Sequence, residues 1–121
     1  MRSDADRLSD ILDAIAKIRE RIPERIDAFL GDEMLQVWVI HHLQVIAEAA
    51  CGVSQFLKDL HPEVPWPQIV ALRNILVHEY FGLNMHQVWT MTQKDLPKLE
   101  AQVQRIRSQI AHDGVIGEGM A

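Results

Sequence analysis

The sequence predicts an all-α protein, an antiparallel bundle of four to five helices, and three observations carry that prediction. Apolar residues recur at steps of three and four through most of the chain. No segment alternates apolar and polar residues as a half-buried strand would. Glycine and proline fall between the periodic segments, so they read as punctuation. The connections are short, which sets neighbouring helices antiparallel.

The first helix carries Leu8, Ile11, Leu12, Ile15, Ile18 and Ile22 as an apolar stripe. Ser3 followed by Asp6 has the spacing of a capping box, and Pro23 ends or bends the helix because it lacks a donor and restricts Ile22. A short continuation holds Ile26, Phe29 and Leu30 before Gly31. Asp32 then suits the N-cap of a long helix from about Glu33 to Leu60. That helix is apolar nearly all round, so it is expected to be packed on every side, at the centre of a bundle or in a dimer interface. The break His61–Pro67 follows, with Pro67 in the first turn of a third long helix. This one runs to about Phe81 and stops at Gly82. Asn84 caps a shorter helix with Met85, Val88, Trp89 and Met91. Pro97 opens the last, whose stripe is Leu96, Leu99, Val103, Ile106 and Ile110. Trp38, Trp66 and Trp89 read as core or interface aromatics, and His61, His86 and His112 as surface residues.

A chain of 121 residues fits one domain, here residues 1–113, with 114–121 as a flexible tail. A hydrophobic content of 48% supplies a core without metal or disulfide. The single cysteine, Cys51, rules out an intrachain disulfide and fits a reducing, cytoplasmic setting. The opening MRSDADRLSD lacks a signal-peptide pattern, and no apolar stretch is long enough for a membrane span. The net charge of −5 argues against non-specific coating of nucleic acid but leaves room for a few cations at a cleft.

Several chemistries lack their residues. There is no glycine-rich phosphate loop. His78-Glu79 starts like a zinc-protease motif, but Gly82 occupies the place of the second histidine. His41 and His42 are adjacent and point to different sides of a helix, a poor arrangement for one metal. No metal and no cofactor are expected. No Gly-x-Ser-x-Gly elbow is present, and Cys51 lies in an apolar helix, where it reads as a small hydrophobe.

The informative segment is Trp66–Gly82. Taking Arg73 as zero, Ile69, Leu72 and Leu76 fall near about 260–320° on a helix, a core-facing stripe. Arg73, Asn74 and His78 fall near about 0–140°, on the opposite side. Asn74 and His78 are four apart and can touch, while Arg73 and Tyr80 lie along nearly one line. Val70, Val77 and Phe81 share this outer face. Apolar residues beside Arg, Asn and His mark a surface covered by something, and a second copy of the chain is the economical cover. A two-fold dimer would bring two polar clusters together across a cleft. On periodicity alone, an isolated Arg-x4-His is more often a packing or surface arrangement than a catalytic one. Glu48, a carboxylate among apolar neighbours, needs a partner; Arg73, His78, a second subunit and solvent are all candidates.

The segment Arg73-Asn74-x-x-x-His78-x-Tyr80 resembles the Arg-x4-His motif of HEPN domains, and more narrowly the Arg-x4-His-x-Tyr form of the HepT-like toxins. The stretches RLSDILDAIAKI, LQVIAEAA, VPWPQIVALRNILVHEYFGLN and VWTMTQKDLPKLEAQV are similar to that group in the same order. The resemblance implies a helical homodimer whose two motifs meet at the interface. It implies a metal-independent endoribonuclease, the toxin of a toxin–antitoxin pair. Its partner would be an MNT-type nucleotidyltransferase antitoxin that transfers AMP to Tyr80. Arg73 and His78 would be catalytic and Asn74 and Tyr80 supporting. The residue types suit such chemistry: histidine serves as base or acid near neutral pH, and arginine matches charge developing on phosphate. The alternative within the resemblance is a non-catalytic HEPN module that binds nucleotide or partner within a nucleotidyltransferase complex.

Overall fold

The computed structural model describes residues 2–78 and 82–120, with the side chains of 112–120 excepted. Ser3 begins the first helix, α1 (Asp4–Arg21), through the expected reciprocal cap. Its hydroxyl accepts from the Asp6 amide and its amide donates to the Asp6 carboxylate, both at 3.1 Å. The backbone hydrogen bond from Ser3 is the main reason that the Asp6 carboxyl is held below its ordinary range. The α1 stripe buries Leu8, Ile11, Ala14, Ile15 and Ile18. The helix α2 (Ile26–Leu30) seats fully buried Phe29 against Trp89, with ring centroids 5.8 Å apart.

The helix α3 (Glu33–Gly52) is capped by Asp32, whose carboxylate accepts from the Leu35 amide at 3.0 Å. It stops eight residues short of the expected Leu60. Val53 turns extended, and Ser54 caps a separate helix, α4 (Gln55–Leu60), by accepting from the Leu57 amide. Ser54 also donates from its amide and hydroxyl to the Asp4 carboxylate, at 2.8 and 2.6 Å. The turn is thereby pinned to the start of α1, a long-range tie that periodicity does not report. Nor is α3 packed on every side: Met34, Val37, His41 and Glu48 are exposed, one stripe at helical spacing.

The helix α5 (Trp66–His78) has Pro67 in its first turn, as expected. Asn84 caps α6 (Met85–Thr90), accepting from the amides of His86 and Gln87. Pro97 does not open a new helix. A π-helical turn, Met91–Asp95, joins α6 to α7 (Leu96–Met120) without interruption. Proline lacks a donor and crowds the carbonyl four residues back. The wider turn, in which the Leu96 amide reaches the Met91 carbonyl, relieves that conflict before Pro97. The helix α7 extends to Met120.

These elements form an all-α bundle, with no strand among the described residues. The helix α1 runs antiparallel to α3, because Asp4 meets Ser54 while the Trp38 indole donates to the Lys17 carbonyl at 3.2 Å. It also runs antiparallel to α7: Arg19 pairs with Glu100, and Arg107 donates to Ser9. Leu43, Ile46, Val103 and Ile106 complete the core with the α1 stripe. Trp66 is buried and donates to the His61 carbonyl at 3.0 Å, and Trp38 and Trp89 pack against the core. His61 is not a surface residue; only 18% of its side chain is exposed, and its ring meets Glu63 at 2.9 Å. No helix among the described residues is long and apolar enough to cross a membrane.

Candidate active site

The helix α5 buries only Trp66 and Leu76, with Ile69 and Leu72 packed partly against the core. This is the stripe that the wheel placed inside. Arg73, Asn74, Val77 and His78 are exposed on the other side. His78 stands about 7.5 Å further along the axis than Arg73, from the helical rise. Among the described residues neither Asn74 nor His78 makes a side-chain hydrogen bond, and both are exposed. Tyr80 and Phe81, which the sequence reading placed on this helix, lie outside the described residues.

Arg73 is anchored. Its Nε donates to Oε1 of Glu48 on α3 at 2.6 Å. Glu48 is therefore the carboxylate whose partner the sequence left open, and it is an exposed residue rather than a buried one. The hydrogen bond and the charge of Glu48, with a smaller effect from Cys51, raise the Arg73 pKa further above neutrality. A guanidinium held through Nε keeps its two terminal nitrogens available as a fork, the geometry suited to two oxygens of a phosphate. Cys51 is half-buried and borders this arginine, so it is not the enclosed hydrophobe expected from its apolar helix.

The exposed face of α3 adjoins the site. His41 and His42 do not diverge as their adjacency suggested. Their rings meet edge to face with centroids 4.9 Å apart, while His42 also lies 4.4 Å from Trp38 and its Nδ1 contacts the Trp38 carbonyl. Among the described residues no three His, Cys, Asp or Glu side chains converge as metal ligands. The geometry thus brings Arg73, Asn74 and His78 onto one open face, adds Glu48 beneath the arginine, and borders them with exposed Ile75 and Val77.

The family model for the HepT-like ribonucleases matches residues 11–106, from the first helix to the last and across this face. The chain belongs to the HepT-like ribonuclease family. HepT-like relatives include the "Probable ribonuclease HepT" of Thermococcus cleftensis, 36% identical over 88% of this chain and 97% of the relative. A second, the "Putative RNase MJ1380" of Methanocaldococcus jannaschii, is 34% identical over 80% and 90% of the two chains. A third, the "Putative RNase TTE0752" of Caldanaerobacter subterraneus subsp. tengcongensis, is 32% identical over 88% and 96%. No solved structure matches the HepT-like chain significantly.

Proposed function

We propose that this protein is a metal-independent endoribonuclease, the cytoplasmic toxin of a toxin–antitoxin pair, cutting RNA at a cleft between two copies of α5. The observation that carries the reading is the anchored Arg73 beside open His78 in a chain of the HepT-like ribonuclease family. The exposed Ile75 and Val77 and the bare α3 stripe with Met34 and Val37 give a second subunit apolar surface to cover.

In such a dimer one His78 takes the proton from a ribose 2′-hydroxyl, and that oxygen attacks the adjacent phosphorus. The bond to the 5′-oxygen breaks, and the other His78 supplies its proton. The products are a 2′,3′-cyclic phosphate and a 5′-hydroxyl. Arg73 balances the extra negative charge on the phosphoryl oxygens in the transition state. Asn74 orients His78 or contacts phosphate. Tyr80, two positions after His78 in the sequence, is the acceptor of AMP from an MNT-type nucleotidyltransferase antitoxin, which adds a phosphate-linked group that competes with RNA.

The test is cleavage of RNA in the presence of a chelator by the wild type and by His78→Ala. We expect a loss of about 100-fold or more in the variant, with the same helical content and oligomeric state. Full cleavage by a folded His78→Ala protein would overturn the mechanism. RNA binding without any cleavage by the wild type would favour the non-catalytic module instead.

A further inference from the structure

Glu48 joins two helices that are held unequally. The helix α3 buries seven residues, the helix α5 two. Ile46, Ala47, Ala49 and Ala50, on either side of Glu48, are all buried, so its backbone is fixed in the core while its carboxylate reaches outward. Arg73 is a long side chain on the exposed face of α5. Its one ion pair among the described residues runs from Nε to Oε1 of Glu48 at 2.6 Å. Cys51, one turn further along α3, borders the same guanidinium.

Stability of the fold does not account for this pair. Both side chains are 47% exposed, and an exposed ion pair contributes little, because water screens it and two long side chains must be ordered to make it. The helix α5 already packs on the core through Ile69, Leu72 and Leu76. Affinity for RNA does not account for it either, since a carboxylate beside Arg73 repels the phosphates of an approaching strand. What the pair does supply is direction. The guanidinium is planar, so a hydrogen bond at Nε fixes its plane and turns the edge with the two terminal nitrogens away from Glu48. Without that bond the side chain would keep its rotamer freedom and lose it only during the reaction.

We propose that Glu48 is a positioning residue for RNA cleavage, one that fixes the Arg73 fork where charge develops on the phosphoryl oxygens and weakens the hold on the strand in doing so. This role rests on the ribonuclease reading above. The fork matches the extra charge of the transition state, so losing its direction falls on kcat. The repulsion from Glu48 is felt by the substrate phosphate before reaction, so removing it falls on KM, in the favourable sense.

The experiment is steady-state cleavage of a fluorogenic ten-nucleotide RNA of mixed sequence, with a chelator present. It compares full-length wild type, Glu48→Ala and Glu48→Gln at equal helical content and oligomeric state. Glu48→Ala should lower kcat by about 10–100-fold, the scale of a misplaced catalytic group, with KM unchanged or lower. Glu48→Gln still offers a carbonyl to Nε. It should recover kcat to within about 5-fold of wild type, a neutral acceptor replacing a charged one, and should also lower KM. Glu48→Met, of similar length and without an oxygen acceptor, is a second test and should lose kcat as Glu48→Ala does. Wild-type kcat in folded Glu48→Ala and Glu48→Met, or a rise in KM alone, would overturn the positioning role and leave the ribonuclease reading standing. Equal losses in Glu48→Ala and Glu48→Gln would show that charge and not direction is what Glu48 supplies, and would overturn it too. A wild type that neither binds nor cleaves RNA would remove the ribonuclease reading and this role with it.

Discussion

The helices α1 and α5 are both amphipathic, but only one is finished by its own chain. The helix α1 buries five residues between α3 and α7, and its outer face carries charges that find partners, Arg2 with Asp10 and Arg19 with Glu100. The helix α5 buries two residues and leaves Ile75 and Val77 in solvent beside Arg73, Asn74 and His78. A charged outer face is served by water as well as by its ion pairs and needs no cover. A face mixing bare aliphatic groups with unpartnered polar ones gains free energy when something covers it. The contrast separates a helix that makes the fold from one that the fold displays.

The sharpest way to break this comparison is to perturb each helix and ask which property moves. His78→Ala on α5 should remove cleavage and leave stability alone. Ile15→Ala on α1 should do the reverse, costing about 2–5 kcal/mol in urea unfolding through the cavity it opens, with cleavage per folded molecule retained. Loss of stability in His78→Ala, with little in Ile15→Ala, would reverse the assignment. Next in size, Val77→Asp should shift the protein from dimer toward monomer in sedimentation velocity, because a carboxylate would be desolvated at the interface. An unchanged sedimentation coefficient would place the second subunit elsewhere, or remove it.

The smallest effect concerns the ends of the core elements. The carboxyl of Asp6 is lowered mainly by its backbone hydrogen bond at the α1 cap, and that of Glu63 by a backbone hydrogen bond and then by His61. A lowered folded-state pKa means that the unfolded chain binds the proton more readily. The contribution is therefore complete above the ordinary carboxyl range and disappears as pH falls through the lower folded value. Thermal melts should hold steady near neutrality and drop below about pH 4. Asp6→Asn should flatten part of that drop, since it removes the carboxyl that the Ser3 backbone amide holds low. An identical acid profile in Asp6→Asn would disconnect Asp6 from it.

Much of the fold was legible because its signals are local. The Ser3–Asp6 box, the Asp32 and Asn84 caps and the break at Pro23 each depend on residues within a few positions of one another. The inward stripe of α5 and the outward place of Arg73, Asn74 and His78 followed from helical periodicity. The errors fell where the deciding partner was distant or where two backbone conformations compete. Ser54 splits α3 from α4 while bonded to Asp4, fifty residues away. Pro97 is absorbed by a π turn, though its residue type argued for a fresh start. The exposed α3 stripe could not be foreseen from apolar content, because exposure depends on which neighbours arrive.

By itself, the sequence determined the helical class, the caps and the face on which the Arg-x4-His residues stand, since each is set by steric and hydrogen-bonding preferences over one or two turns. Only the tertiary structure decided that Glu48 on α3 holds Arg73, that Ser54 is tied to Asp4, and that one side of α3 is left bare. The first two join residues 25 and 50 positions apart. Packing alone places such residues together, because backbone preference within a helix does not extend across the loops between helices.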